Sequence, residues 1–392
     1  MKRALAFAAA AALAGVLVWK LWPQRAPQSP VPQAPTADAE VPTRGAERRE
    51  VVPSAPAANV RRATAQAPPS SPWAELNNEA VAALERGELE RAVELFEQCH
   101  AGASDERVFA RNLAEALARL AVRDHELERP CKRCVELLER AVQLAPERSD
   151  LAQLLERWRK ELATESEFHR VQSTHFELAY EVWREGLVDQ SADLLAALEL
   201  HYVELARIFD VRPGERARIP VSLYRPAEFA NITGLAEWAG ASYDGVIRAP
   251  VAEERALGAT FDELLRHELI HAFVREAGGR DVPGWLNEGL AQWLQRAPAE
   301  DLRRARSALR GQPWIELSSL RGSLTSLPDT ATVTRAYAQS LAFCAYLDEQ
   351  HGRGVLLALV AGCKRGESVD ATFQSWTRLR LAEAEALFRA GL

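Results

Sequence analysis

The chain has 392 residues, 47% of them hydrophobic, enough for two or three domains with cores of their own. A formal net charge of −7 gives no electrostatic ground for nucleic-acid binding. Five cysteines in so long a chain exclude a disulfide-dense scaffold.

Met1-Lys2-Arg3 precedes an Ala/Leu/Val run from Ala4 to Trp19. A positive start and an apolar run fit a secretory signal or a signal anchor. Lys20 ends the run early for a membrane helix, while Trp19 and Trp22 suit an interfacial aromatic belt. No convincing small-x-small cleavage site follows the run, so residues 1–22 read as an uncleaved membrane anchor, with secretion after signal cleavage as the alternative. Residues 23–72 hold 11 of the chain's 21 prolines and no Leu, Ile, Phe, Tyr, Trp or Met. Such a stretch cannot bury enough surface to offset its ordering entropy and reads as a disordered tether.

Residues 73–165 read as all helix. Leu76, Ala80, Ala83 and Leu84 have helical spacing, Gly87 breaks the run, and Ala92, Val93, Leu95 and Phe96 resume it. Further helices are expected near Val108–Val122, Cys131–Ala145 and Ser149–Thr164, with a charged break around His125–Arg129. The spacings Ala83-Leu84-x-x-Gly87-x-x-x-x-Ala92-x-x-x-Phe96 and Leu138-x-x-Ala141-x-x-Leu144-x-Pro146 resemble tetratricopeptide repeats. Stacked helix pairs of that kind imply a groove for a peptide or protein partner; a helical spacer that stabilises the neighbouring domain is the alternative. Cys131-Lys-Arg-Cys134 is a lone CxxC. The default reading is two ordinary helix cysteines, with a local disulfide as the alternative in an oxidising compartment. Cys99, His100 and His125 lie at no standard zinc-knuckle spacing.

Beyond residue 165 the pattern changes. Thr174–Tyr180 alternates and reads as a strand, Gly186–Asp210 as a long amphipathic helix, Arg218–Tyr224 as a second strand and Ala241–Ala249 as a third. Thr260 and Glu263 have the spacing of a capping box, predicting a helix from about Phe261 to Gly278-Gly279. That helix carries His267-Glu268-Leu269-Ile270-His271, the HExxH zinc signature. At about 100° per residue, positions four apart share a face, so His267 and His271 can offer two imidazoles to one metal. Catalytic zinc usually takes three protein ligands and leaves a position for water; Glu288, opening a second apolar helix at Leu286–Leu294, is the best third. Helices are expected at Ala299–Arg310, Thr332–Gln350, Gly354–Cys363 and Leu381–Ala390.

The combination of His267-Glu268-x-x-His271 with Asn287-Glu288-Gly289-Leu290-Ala291 resembles the gluzincin metallopeptidases, in particular the bacterial peptidase MA-like domains. The resemblance implies an α+β fold: a zincin-like catalytic domain at residues 166–392, with a small mixed sheet and a mostly helical C-terminal part, preceded by the all-α domain at 73–165. It implies one Zn²⁺ held by His267, His271 and Glu288, with Glu268 as general base. It also implies that the strand before the zinc helix is a sheet edge that pairs with an extended peptide. Tyr337, on a helix after the third ligand, is the best candidate for an oxyanion donor, with His351 second. Gln292, one turn beyond Glu288, is a candidate to orient a ligand. The expected activity is zinc-dependent hydrolysis of a peptide or protein in the bacterial cell envelope, with the folded domains outside the cytoplasm. The rival readings are a non-catalytic scaffold that binds an envelope partner, and hydrolysis of a non-peptide amide such as a cell-wall crosslink.

Overall fold

The computed structural model describes residues 72–127, 131–182, 187–215, 217–234, 240–251, 258–295 and 299–392. The protein is mixed α/β, mostly helical, with one five-stranded sheet. The expected anchor and all but the last residue of the tether lie outside the described residues. Among the described residues no helix is long and apolar enough to cross a membrane.

Five helices come first: α1 (Ala74–Glu85), α2 (Leu89–Gly102), α3 (Arg107–Leu127), α4 (Lys132–Leu144) and α5 (Ser149–Glu165). Their apolar positions recur at helical spacing, so each presents one stripe to a shared core that includes Ala83, Phe96, Leu117, Leu138 and Trp158. Each packs on the next in sequence. The charged stretch near His125 does not end α3 as expected. The His125 ring stacks on Trp158 at 3.8 Å between centroids, so the helix keeps going to bury it. Cys131 and Cys134 are also not two unlinked helix cysteines. They form a disulfide with Cα atoms 5.2 Å apart. Cys131 is extended and caps α4, its Sγ accepting from the Cys134 N–H at 3.1 Å; one extended residue before a first helical turn puts the pair within bridging reach.

The sheet runs β1 (His169–Gln172), β2 (Phe176–Tyr180), β3 (Ile219–Tyr224), β5 (Ile247–Pro250), β4 (Ser242–Tyr243). β2, β3 and β5 are parallel; β1 and β4 are antiparallel edges. Crossovers come from α6 (Leu187–Phe209), after β2, and α7 (Pro226–Thr233), after β3. Alternation sorts the faces. Phe176, Leu178, Tyr180, Val221, Leu223, Ile247 and Ala249 enter the main core, while Ala179 and Tyr224 turn to the other side and pack with Phe168, Phe229 and Ile232. A one-residue slip would exchange these sets, so burial pins the register. The expected single strand at Ala241–Ala249 is instead a hairpin. Asp244-Gly245 turns between β4 and β5, with Gly245 at φ +117°, a conformation an L side chain rarely adopts. The edge of the sheet at this end is therefore the two-residue β4.

Arg248 of β5 is 2% exposed and faces the side away from the main core. Its guanidinium meets Glu161 of α5 at 2.7 Å and is also bonded to Asp244 in the turn. Burial works against its charge, but Asp244 and Glu161 outweigh that, and its pKa is raised well above the ordinary value. Arg157 of α5 pairs with Asp244 at 3.2 Å, His125 lies 3.4 Å from Glu161, and the Tyr224 hydroxyl donates to Glu165. α5 thus supplies buried charges to the sheet as well as apolar residues to the helical core.

The main core continues into α8 (Ala259–Gly278), α9 (Gly284–Leu294), α10 (Ala299–Leu309), α11 (Thr330–His351), α12 (Arg353–Lys364), α13 (Val369–Thr377) and α14 (Leu381–Ala390). The expected capping box does not form: Gly258 caps α8, and Thr260 and Glu263 lie within the helix. α8 is buried on every side from Leu264 to Val274, the state of a helix inserted between layers. α9 crosses α11 at Gly289, where a Cβ would fall 2.5 Å from the Ser340 carbonyl oxygen and 2.4 Å from the Cys344 sulfur. Only glycine lets the two backbones approach this closely.

Candidate metal centre

α8 brings His267, Glu268 and His271 to the crossing with α9, which brings Glu288. The imidazoles are 8% and 9% exposed and Glu268 5%, so all three sit inside the protein. The two Nε2 atoms are 3.2 Å apart, and Glu288 Oε2 lies 3.7 Å from one and 3.8 Å from the other. Among the described residues no other group of three His, Cys, Asp or Glu donors is drawn together.

The outer nitrogens of both rings are committed. His267 Nδ1 donates to Gln295 Oε1 at 2.5 Å, and His271 Nδ1 donates to Asn287 Oδ1 at 3.0 Å. An amide oxygen only accepts, so each partner places the ring proton on Nδ1 and leaves a bare lone pair on Nε2. Two bare lone pairs facing each other, with a carboxylate closing the triangle, form a concentration of negative potential that a cation relieves. The circle through the three donor atoms has a radius of about 2.1 Å, matching the ~2.0–2.2 Å of zinc bonds to imidazole and carboxylate. Donor identity, number and spacing all fit zinc.

The neighbouring carboxyls differ. Burial pushes Glu268 up to about 7, with Glu288 adding to the rise and His271 opposing it. Burial also works to raise Glu288, but positive charge at His271 and a hydrogen bond from His267 hold its pKa below the ordinary value when the imidazoles, rather than a cation, carry the site's positive charge. Glu288 is thus the carboxylate that pairs with the positive charge of the site, and Glu268 the one that burial pushes toward its neutral form.

Tyr337, on α11, lies within reach of the charges of Glu288 and Glu268. Burial raises its phenol well above the ordinary value, and the further causes are the charges of Glu288 and Glu268. His351 lies out of reach: it stands fourteen residues further along α11, edge-on to Phe373 at 5.5 Å, roughly 21 Å away at 1.5 Å per residue. Gln292 also has a different role from the expected one. Its Nε2 donates to the Glu288 and Tyr337 backbone carbonyls at 3.2 and 3.1 Å, tying α9 to α11. The side chain that orients His267 is Gln295, at the C-terminal cap of α9.

No protein-family model matches the chain, and no curated protein matches it either.

Proposed function

We propose that the protein is a zinc-dependent metallopeptidase of the gluzincin type. The observation that carries this is the triangle of two imidazole nitrogens and one carboxylate oxygen, sized for one zinc ion, beside a buried carboxyl that is not among the three donors. Bound zinc supplies Lewis acidity, polarising a carbonyl and acidifying water. Glu268 accepts a proton from the attacking water and delivers it to the departing amine. Tyr337 donates its hydroxyl to the oxygen that becomes anionic as the carbonyl is attacked. Gly289 sets the approach of α9 to α11 and so the spacing of Glu288 and Tyr337.

The substrate class is a peptide or protein, paired in extended form against the β4 edge. The first five helices form a tetratricopeptide-like unit, whose groove is the place for a protein partner. The sequence of residues 1–22 supports a membrane anchor with the folded body in the periplasm of a bacterial envelope, and the Cys131–Cys134 disulfide agrees with an oxidising compartment.

The test is metal-dependent cleavage of an unstructured protein such as casein by the full chain. 1,10-Phenanthroline is expected to abolish cleavage, and stoichiometric zinc to restore it. Stoichiometric zinc with no cleavage across substrates would favour a non-catalytic binding protein.

A further inference from the structure

We propose that Gln295 and Asn287 are positioning residues that hold the metal-binding imidazoles through neutral amides, orienting the rings without adding negative charge to the cation centre. This rests on the zinc reading above. A histidine ligand commonly gives its outer N–H to a carboxylate, a backbone carbonyl or water. A carboxylate orients the ring and also adds negative charge. An amide oxygen orients it without adding charge, and here both rings are held this way, at 2.5 Å and 3.0 Å. The only formal negative charge among the three donors and their two orienting groups is that of Glu288. A divalent cation there meets less negative charge than it would with carboxylates behind the rings, which raises its Lewis acidity and loosens its retention.

The arrangement is built into α9. Asn287 sits in its first turn, Glu288 next to it, and Gln295 at its C-terminal cap, so one helix contributes a ligand and both orienting groups. The far end is braced from α8 itself. Arg266, 4% exposed and next to His267, donates from Nε to the Leu294 carbonyl at 3.1 Å. Arg266 is held in turn by Glu204 at 2.8 Å and by His201 at 3.0 Å, and His201 meets Asp262 at 2.8 Å. Gln295 thus follows a residue whose backbone is fixed to the helix that carries the ligands, and it is 6% exposed. A side chain so enclosed reaches His267 with little freedom to lose, as ligand positioning requires.

The experiment measures zinc affinity of the full-length protein at pH 7.5 by competition with a chelating indicator, alongside the thermal midpoint in zinc-free buffer. Gln295→Leu is expected to weaken zinc binding by about 10–100-fold, and Asn287→Leu to act in the same direction. Gln295→Glu is expected to tighten it, because the carboxylate keeps the hydrogen bond and adds charge. A merely structural role would lower the midpoint in all variants without this opposite ordering of affinities. Unchanged affinity in Gln295→Leu, or weaker binding in Gln295→Glu, would overturn the proposal while leaving the zinc reading intact. Failure of the parent protein to bind zinc would instead overturn the zinc reading itself.

Discussion

Glu268→Gln is expected to retain zinc at the parental stoichiometry and to lower peptide hydrolysis by about 10²–10⁴-fold, the range lost with a general base. The two outcomes separate because Glu268 is not one of the three converging donors. The substitution keeps the shape of a side chain that is only 5% exposed, so the packing around it is preserved. It removes the proton-accepting carboxylate together with its charge. Steady-state cleavage of a fluorogenic peptide, with metal content measured on the same sample, checks both halves. Parental activity in the variant would show that another group moves the proton. Loss of zinc would show that Glu268 is a ligand.

Glu161→Ala is expected to destabilise the protein by about 3–5 kcal/mol, the cost of breaking a buried ion pair from one side. Glu161 and Arg248 are 1% and 2% exposed, and Arg248 cannot shed its proton to escape. Asp244 remains as a partner, but it neutralises one side of the guanidinium only. The double variant Glu161→Leu with Arg248→Met, which removes both charges and keeps volume, should recover most of the loss. Chemical denaturation of the three proteins decides it. A Glu161→Ala cost below about 0.5 kcal/mol, the range of an ordinary surface change, would mean that the pair is solvated. The consequence for organisation is direct. α5 belongs to the helical core through Trp158 and to the sheet through Glu161, so a cut after residue 165 separates charges that need each other.

Parts of this were legible in the sequence for identifiable reasons. Four-residue spacing on a helix fixes a shared face, so His267 and His271 were readable as a pair from local geometry alone. Glu288 followed from needing a third donor on the next helix. Gln295 was not legible. It lies seven residues after Glu288 at a helix end, and it reaches His267 only because of the angle at which α9 crosses α8, which no local period encodes. Gln292 looked better by spacing, yet its amide is taken by two carbonyls at the α9–α11 contact.

The strands show the same division. β2 and β3 announce themselves by alternation, whereas β1 has one apolar residue in four and exists because His169–Gln172 pairs with Glu177–Tyr180. Two further features carry signals readable in the sequence. Asp244-Gly245 is hairpin-turn chemistry, and Pro226 and Gly234 bracket α7 as start and stop. Thr260 and Glu263 have capping spacing, but α8 begins a residue ahead of Thr260, with Gly258 as its cap. The Cys131–Cys134 bond needed the extended backbone at Cys131, which the CxxC spacing by itself does not specify.

The central claim is that two imidazoles and one carboxylate from α8 and α9 surround a single zinc ion. Zinc-edge X-ray absorption on the purified full-length protein, with metal content determined in parallel, tests it most directly. The account predicts one zinc per chain with two imidazole nitrogens and oxygen donors at about 2.0–2.2 Å, and loss of that signal in His267→Ala, His271→Ala and Glu288→Ala. A chain without zinc, or one whose zinc signal is unchanged in all three variants, would contradict it.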